Sequence, residues 1–131
     1  MSLKDKKKNL IQKLKAKNYA VENETVDSIT FLSGRTYFLL QLYEGANDYY
    51  RLVLPNFYQI ENLSEEKIFK AINEVNKTYR LVKVIYVNNS LWISIEVFFE
   101  TEKMFLDKLD YLLGLSKTSA LKVSEIITQE V

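Results

Sequence analysis

Along this chain the spacing of apolar positions switches several times between a helical and a two-residue period, and each switch marks an element. From Asp5 to Lys17, Leu10, Ile11 and Leu14 recur at helical spacing, which predicts a short amphipathic helix with one narrow apolar stripe and its lysines on a solvated face. From Thr25 to Leu32 and from Thr36 to Tyr43 the period is two, and Ser33, Gly34 and Arg35 between these stretches predict a hairpin. Gly45 and Asn47 place a turn within Glu44 to Asp48, ahead of a strand over Tyr49 to Leu54. Pro55 should end that strand, since it has no N–H to give a ladder.

Asn62 or Ser64 then offers an N-cap for a helix reaching about Tyr79, with Glu65 and Glu66 at the positive end of its dipole and Ile68, Ile72, Val75 and Tyr79 on one stripe. Two strands follow, Arg80 to Val87 and Leu91 to Glu100, joined by Asn88, Asn89 and Ser90. Asparagine tolerates the left-handed backbone that tight hairpin turns need. Phe105, Leu106, Leu109, Leu112 and Leu113 restore the helical period from Glu102 to Leu113, and Gly114 should interrupt it. That leaves 118–131 as a second helical piece or a docking tail.

The expected order is α-β-β-β-α-β-β-α, an α+β fold with an antiparallel five-stranded sheet in one domain spanning 1–131. A two-residue turn at Asn88 and Asn89 would set Val84 opposite Ile93, Val82 opposite Ile95 and Tyr86 opposite Leu91. The loop at Glu44 to Asp48 would put Phe38, Leu40 and Leu42 on one face with Tyr50, Leu52 and Leu54. Both are apolar core faces. The opposite faces carry Tyr37, Leu39, Gln41, Tyr43, Tyr49, Arg51 and Val53 from one hairpin, and Lys83, Ile85, Trp92, Ser94, Glu96 and Phe98 from the other.

A face that mixes Tyr, Trp and Arg with a few charges has the composition of an interface, because these side chains give large amphipathic contact area. Trp92, Tyr43, Tyr49, Arg51, Ile85 and Phe98 are therefore the candidate anchors for a protein partner. The plainer reading of the same face is that terminal helices or loops cover it.

Composition narrows the chemistry. With 131 residues, nine tyrosines, seven phenylalanines and one tryptophan, there is material for one sizeable core. A net charge of +1 gives no global field to draw nucleic acid or an anionic membrane. The chain has no histidine and no cysteine, which removes His-dependent nucleophilic triads, the usual zinc sites and any disulfide framework. Its three glycines form no phosphate-cradling loop. The densest acids, Glu44 with Asp48 and Glu61 with Glu65 and Glu66, fit a solvated turn and a helix N-terminus better than a tuned catalytic pair. No catalytic residue, cofactor or metal is expected. The basic first 17 residues lack the apolar core of a secretory signal, and no apolar run approaches the roughly 20 residues of a membrane helix, so a cytoplasmic location is expected.

The segment Ala71-Ile72-Asn73-Glu74-Val75-Asn76, followed by the apolar strands Leu81 to Tyr86 and Leu91 to Phe99, resembles the YbjN family, described as bacterial sensory transduction regulators. The resemblance takes in the preceding three strands and the opening and closing helices. It implies a fold similar to type III secretion chaperones of the CesT and SycE kind, whose helices pack on one side of a twisted antiparallel sheet. Those proteins bind extended segments of other proteins and commonly dimerise. For Asn73 and Asn76 themselves an architectural role is expected, in which the side chains bond backbone groups and fix how the chain enters the next strand. The functional expectation is a non-catalytic protein-binding module whose partner is another protein, a peptide segment or a second copy. The alternative is a nucleic-acid-binding regulator in which the aromatics stack bases and the first helix's lysines meet phosphates. An enzyme ranks last.

Overall fold

A computed structural model describes residues 2–61 and 64–129. The first helix, α1 (Leu3–Ala16), begins where the Ser2 hydroxyl accepts the Asp5 N–H and ends where Asn18 takes a left-handed conformation (φ 69°), which lets the backbone turn back toward the sheet. Leu10 and Leu14 are fully buried, as their spacing requires. Lys6 departs from expectation: one turn before Leu10 on the same stripe, it is only 2% exposed.

Six strands follow rather than five. The additional one is β1 (Ala20–Glu24), whose sequence Ala-Val-Glu-Asn-Glu has no apolar alternation because it lies at the sheet edge with its side chains largely exposed. It pairs antiparallel with β2 (Ser28–Ser33), with a register irregularity between Val21 and Asn23. The strand expected from Thr25 begins only at Ser28, since Thr25, Asp27 and Ser28 hydrogen-bond among themselves and close the β1–β2 turn. β2 and β3 (Thr36–Gln41) form the expected hairpin. Ser33 pairs with Thr36, so Gly34 and Arg35 make a two-residue turn, and Gly34 supplies its positive φ of 63°. β4 (Tyr49–Gln59) pairs with β3 from Gln41↔Arg51 to Leu39↔Val53.

Pro55 does not end β4. It lies past Val53, the last β4 residue in the β3 register, where that ladder asks for no N–H, and Asn56 beyond it has φ 47°. The second helix, α2 (Glu65–Thr78), is capped by Ser64, whose hydroxyl accepts the Lys67 N–H at 3.3 Å; Asn62, the other candidate cap, lies outside the described residues. β5 (Val82–Val87) and β6 (Ser90–Phe98) pair as expected: Val82↔Ile95, Val84↔Ile93 and Tyr86↔Leu91 about a turn in which Asn88 and Asn89 have φ 45° and 63°. Tyr86 is the one exposed member of that face; it sits at the hairpin end and its hydroxyl donates to Asn89 Oδ1. The sheet order is β1-β2-β3-β4-β6-β5.

The last helix, α3 (Glu102–Gln129), runs through Gly114 without interruption. A helical glycine costs about 1 kcal/mol relative to alanine. That is less than the buried stripe continuing beyond it contributes: Ala120, Val123 and Ile127 are buried, and the buried Ser116 and Ser119 satisfy their hydroxyls on the carbonyls of Leu112 and Leu115. Residues 118–129 are thus helix rather than a separate tail, and the rest of 118–131 lies outside the described residues.

The described residues group into two compact units, one of 2–53 with 96–109 and one of 54–61 and 64–95 with 110–129. In the first unit Leu10, Leu14, Ile29, Phe31, Phe38, Leu40, Leu42, Tyr50 and Leu52 are buried with Phe105 and Leu109. Tyr50 stacks flat on Phe105, with ring centroids 4.1 Å apart. In the second unit Leu54, Ile68, Ala71 and Val75 are buried, as are Val82, Val84, Leu91, Ile93 and Ile95. Two residues assigned to the outer faces are also buried. These are Val53, paired with Leu39, and Ser94, paired with Lys83, short side chains shielded beside longer cross-strand partners.

Candidate functional site

The loop between β3 and β4 is built on Lys6. Its ammonium donates to the carbonyls of Asn47 (2.8 Å), Ala46 (3.1 Å) and Tyr49 (3.3 Å), and lies 4.3 Å from the centroid of the Tyr50 ring. Burial lowers the Lys6 pKa from its ordinary value, and the charges of Glu102 and Asp48 partly oppose that shift. The same burial, with Glu102 and Asp48 nearby, pushes the Tyr50 hydroxyl up to about 12. Lys13 Nζ comes within 3.2 Å of Glu102 Oε1, yet that oxygen has no hydrogen-bond partner of good geometry, so the contact is an ion pair off the hydrogen-bonding direction. Gly45, at φ 78°, and two 3.3 Å backbone bonds centred on Ala46 complete the turn. The Phe99 N–H donates to the Asp48 carbonyl and ties the end of β6 to the loop.

This framework holds Tyr43, Tyr49 and Phe98 together. Tyr43 and Tyr49 meet edge to face at 5.2 Å with ring planes 73° apart, and Tyr49 and Phe98 meet at 5.2 Å and 66°. With Ala46 these rings line a shallow, predominantly apolar depression. Phe98 is 70% exposed. Burial and a hydrogen bond to the Glu96 carboxylate push the Tyr49 hydroxyl up to about 12. Glu96 also faces Arg51, with Nε 3.9 Å from Oε1.

Of the six anchors expected from sequence, Tyr43, Tyr49 and Phe98 are thus in contact, and Arg51 joins them through Glu96. Ile85 and Trp92 belong to the second unit, where they are cross-strand partners and half-buried. The Trp92 indole N–H donates to Ser90 Oγ, and Ser90 Oγ donates to the Val87 carbonyl, so this pair clamps its own hairpin. Ala46, Glu96 and Lys6 were not among the anchors. Lys6 could have been found from its place one turn before Leu10 on the Leu10–Leu14 stripe.

A second concavity follows α1, lined by Lys4, Lys7, Lys8, Ile11, Lys15 and Glu24; within it Lys7 pairs with Glu24 at 3.1 Å and donates to the Thr25 carbonyl at 2.7 Å. Asn76 has the architectural role expected of it. Its side chain accepts the Val84 N–H at 2.6 Å and donates to the Val84 carbonyl at 3.4 Å, satisfying a backbone position on the edge strand β5; Asn73 is exposed. Among the described residues no group of three His, Cys, Asp or Glu side chains is placed to hold a metal ion, and no helix is long and apolar enough to cross a membrane.

No protein-family model matches the chain, and no curated protein matches it. Among solved structures it is similar to an uncharacterised protein from Methanothermobacter thermautotrophicus, at 15% identity and a TM-score of 0.67, over 95% of this chain and 98% of that one. At that identity the likeness establishes a shared fold.

Proposed function

We propose that this chain is a non-catalytic, cytoplasmic protein-binding module that uses the Tyr43–Tyr49–Phe98 patch, with Arg51 and Glu96 beside it, to hold a segment of another protein. The observation that carries this reading is Phe98. A phenylalanine 70% exposed at the end of a strand, packed against a second ring that packs against a third, is an apolar surface with no role in the core. Aromatic clusters of this kind supply the anchors of interfaces. As part of the same proposal, the fold is a variant of that shared by YbjN-like proteins and type III secretion chaperones, with β1 as an additional edge strand. This reading draws on the element order of a helix, a strand run, a second helix, a hairpin and a final helix.

The test places a photo-crosslinking phenylalanine analogue at Phe98 and, as a control, at Val26, which is 81% exposed on a turn. Irradiation in the cell of origin should yield a discrete set of protein adducts from position 98 that position 26 does not give. Equal or absent crosslinking at the two positions would remove the patch as the site.

The alternative, a nucleic-acid-binding regulator, draws on the lysine-lined concavity of α1. Against it stands Glu96, whose carboxylate beside the rings would repel a phosphate backbone. Nucleic-acid binding would show as an affinity falling steeply with salt, through counterion release.

A further inference from the structure

We infer that the aromatic patch takes a cationic side chain, arginine before lysine, presented by an extended peptide segment. This rests on the binding reading above and adds the chemistry of the partner. Ring geometry is the first support. Tyr49 meets both Tyr43 and Phe98 at steep angles, and the three rings line, with Ala46, one open and mainly apolar depression, where an entering cation is within reach of three aromatic rings, whose negative faces attract it.

Glu96 is the second support. Its carboxylate is exposed, lies 3.9 Å from Arg51 Nε and is near enough to Tyr49 to help raise that hydroxyl. A carboxylate can accept about four hydrogen bonds, so an exposed Glu96 offers a guanidinium or ammonium entering beside the rings a counter-charge with several acceptor sites. The third support is the charge of the rim. Glu44 and Asp48 lie in the loop that carries Ala46, and Glu100 lies two residues past Phe98; all three are exposed. Lys6, on which the same loop is built, is buried and engaged by three loop carbonyls. The chain as a whole carries +1, so this acidic rim is a local feature.

An anionic ligand would be repelled here, and a neutral apolar one would leave the carboxylates unused; a cationic side chain meets both the rings and the acids. Arginine suits an open depression better than lysine, because its planar guanidinium stacks on a ring while forking onto a carboxylate. The depression is too shallow to enclose a small molecule as ligand pockets do, which favours one side chain of a longer segment.

The probe is a short, fluorescently labelled Gly/Ser/Thr peptide with arginine at alternate positions, compared with versions carrying glutamine or glutamate there. Anisotropy titration measures affinity, and NMR of the aromatic side chains reports where the peptide sits. The arginine peptide should bind at least about tenfold more tightly than the glutamine peptide and shift the Tyr43, Tyr49 and Phe98 resonances. Glu96→Gln and Phe98→Ala, each with an unchanged circular dichroism spectrum, should each weaken it by about tenfold. Equal binding of the arginine and glutamine peptides at the patch would overturn the cationic inference and leave the binding module standing. Arginine-peptide shifts confined to other residues, an affinity unaffected by Glu96→Gln, or no binding at all would overturn it too, whereas the binding reading of the patch falls only if crosslinking at positions 98 and 26 is equal or absent.

Discussion

A buried ammonium loses its hydration, and Lys6 is kept inside because three carbonyls and the Tyr50 ring replace the water it gave up. The loop carbonyls depend on it in turn, since without the ammonium those of Asn47 and Tyr49 would lose the donor it supplies and that of Ala46 would keep only the Tyr49 N–H. Lys6→Met keeps the length and removes the charge, so it should lower stability by about 1.5–3 kcal/mol in urea denaturation, the usual worth of hydrogen bonds to a charged group. Amide exchange should quicken over residues 44–48 more than elsewhere; uniform quickening would mean that Lys6 supports the core and not the loop. Asn76 is the parallel case in the second unit. Asn76→Ala strips both partners from the Val84 backbone and should cost about 1–3 kcal/mol, whereas Asn76→Asp keeps only the acceptor and should fall between. Equal stability of wild type and Asn76→Ala would show that solvent replaces the side chain on β5.

At the scale of elements, what was legible in the sequence was whatever burial on one face made periodic. The β5–β6 register followed from two asparagines and a run of alternating apolar residues, and the β3 and β4 core positions followed from one loop length. β1 was not legible because an exposed edge strand imposes no alternation, and Pro55 misled because a missing N–H matters only where a ladder calls for it. Gly114 misled in a third way: its intrinsic cost is real but small beside the apolar stripe that continues past it. That cost can be recovered. Gly114 is exposed, its φ lies outside the left-handed region, and a Cβ built there meets nothing within 4 Å. Gly114→Ala should therefore stabilise the protein by about 0.5–1 kcal/mol in chemical denaturation. A loss of stability instead would mean that the helix needs the freedom of glycine at its midpoint.

For the molecule as a whole, the patch was partly legible, in that Tyr43, Tyr49, Arg51 and Phe98 were picked by composition and face; what grouped them, the loop on Lys6 and the carboxylate of Glu96, depends on long-range contacts that periodicity does not encode. The same network sets how stability responds to alkali. Tyr49 and Tyr50 are raised from an ordinary value near 10 to about 12, so between those values the folded chain holds protons that the unfolded chain has released. Their contribution is complete below pH 10 and is lost as the pH rises through 12. Lys6 acts in the opposite sense: with its folded pKa lowered, the unfolded chain binds the extra proton, and stability gains as the pH climbs toward the ordinary lysine value of 10.5. Below pH 10 only the lysine effect operates, and above 10.5 only the tyrosine effect remains. Urea midpoints measured across this range should therefore rise slightly and then fall, with the fall smaller in Tyr50→Phe, where burial raises the hydroxyl, and in Tyr49→Phe, where burial and Glu96 do. Glu96→Gln should shrink the fall through Tyr49 alone. An undiminished fall in both phenylalanine variants would assign the alkaline transition to other groups and separate it from the patch.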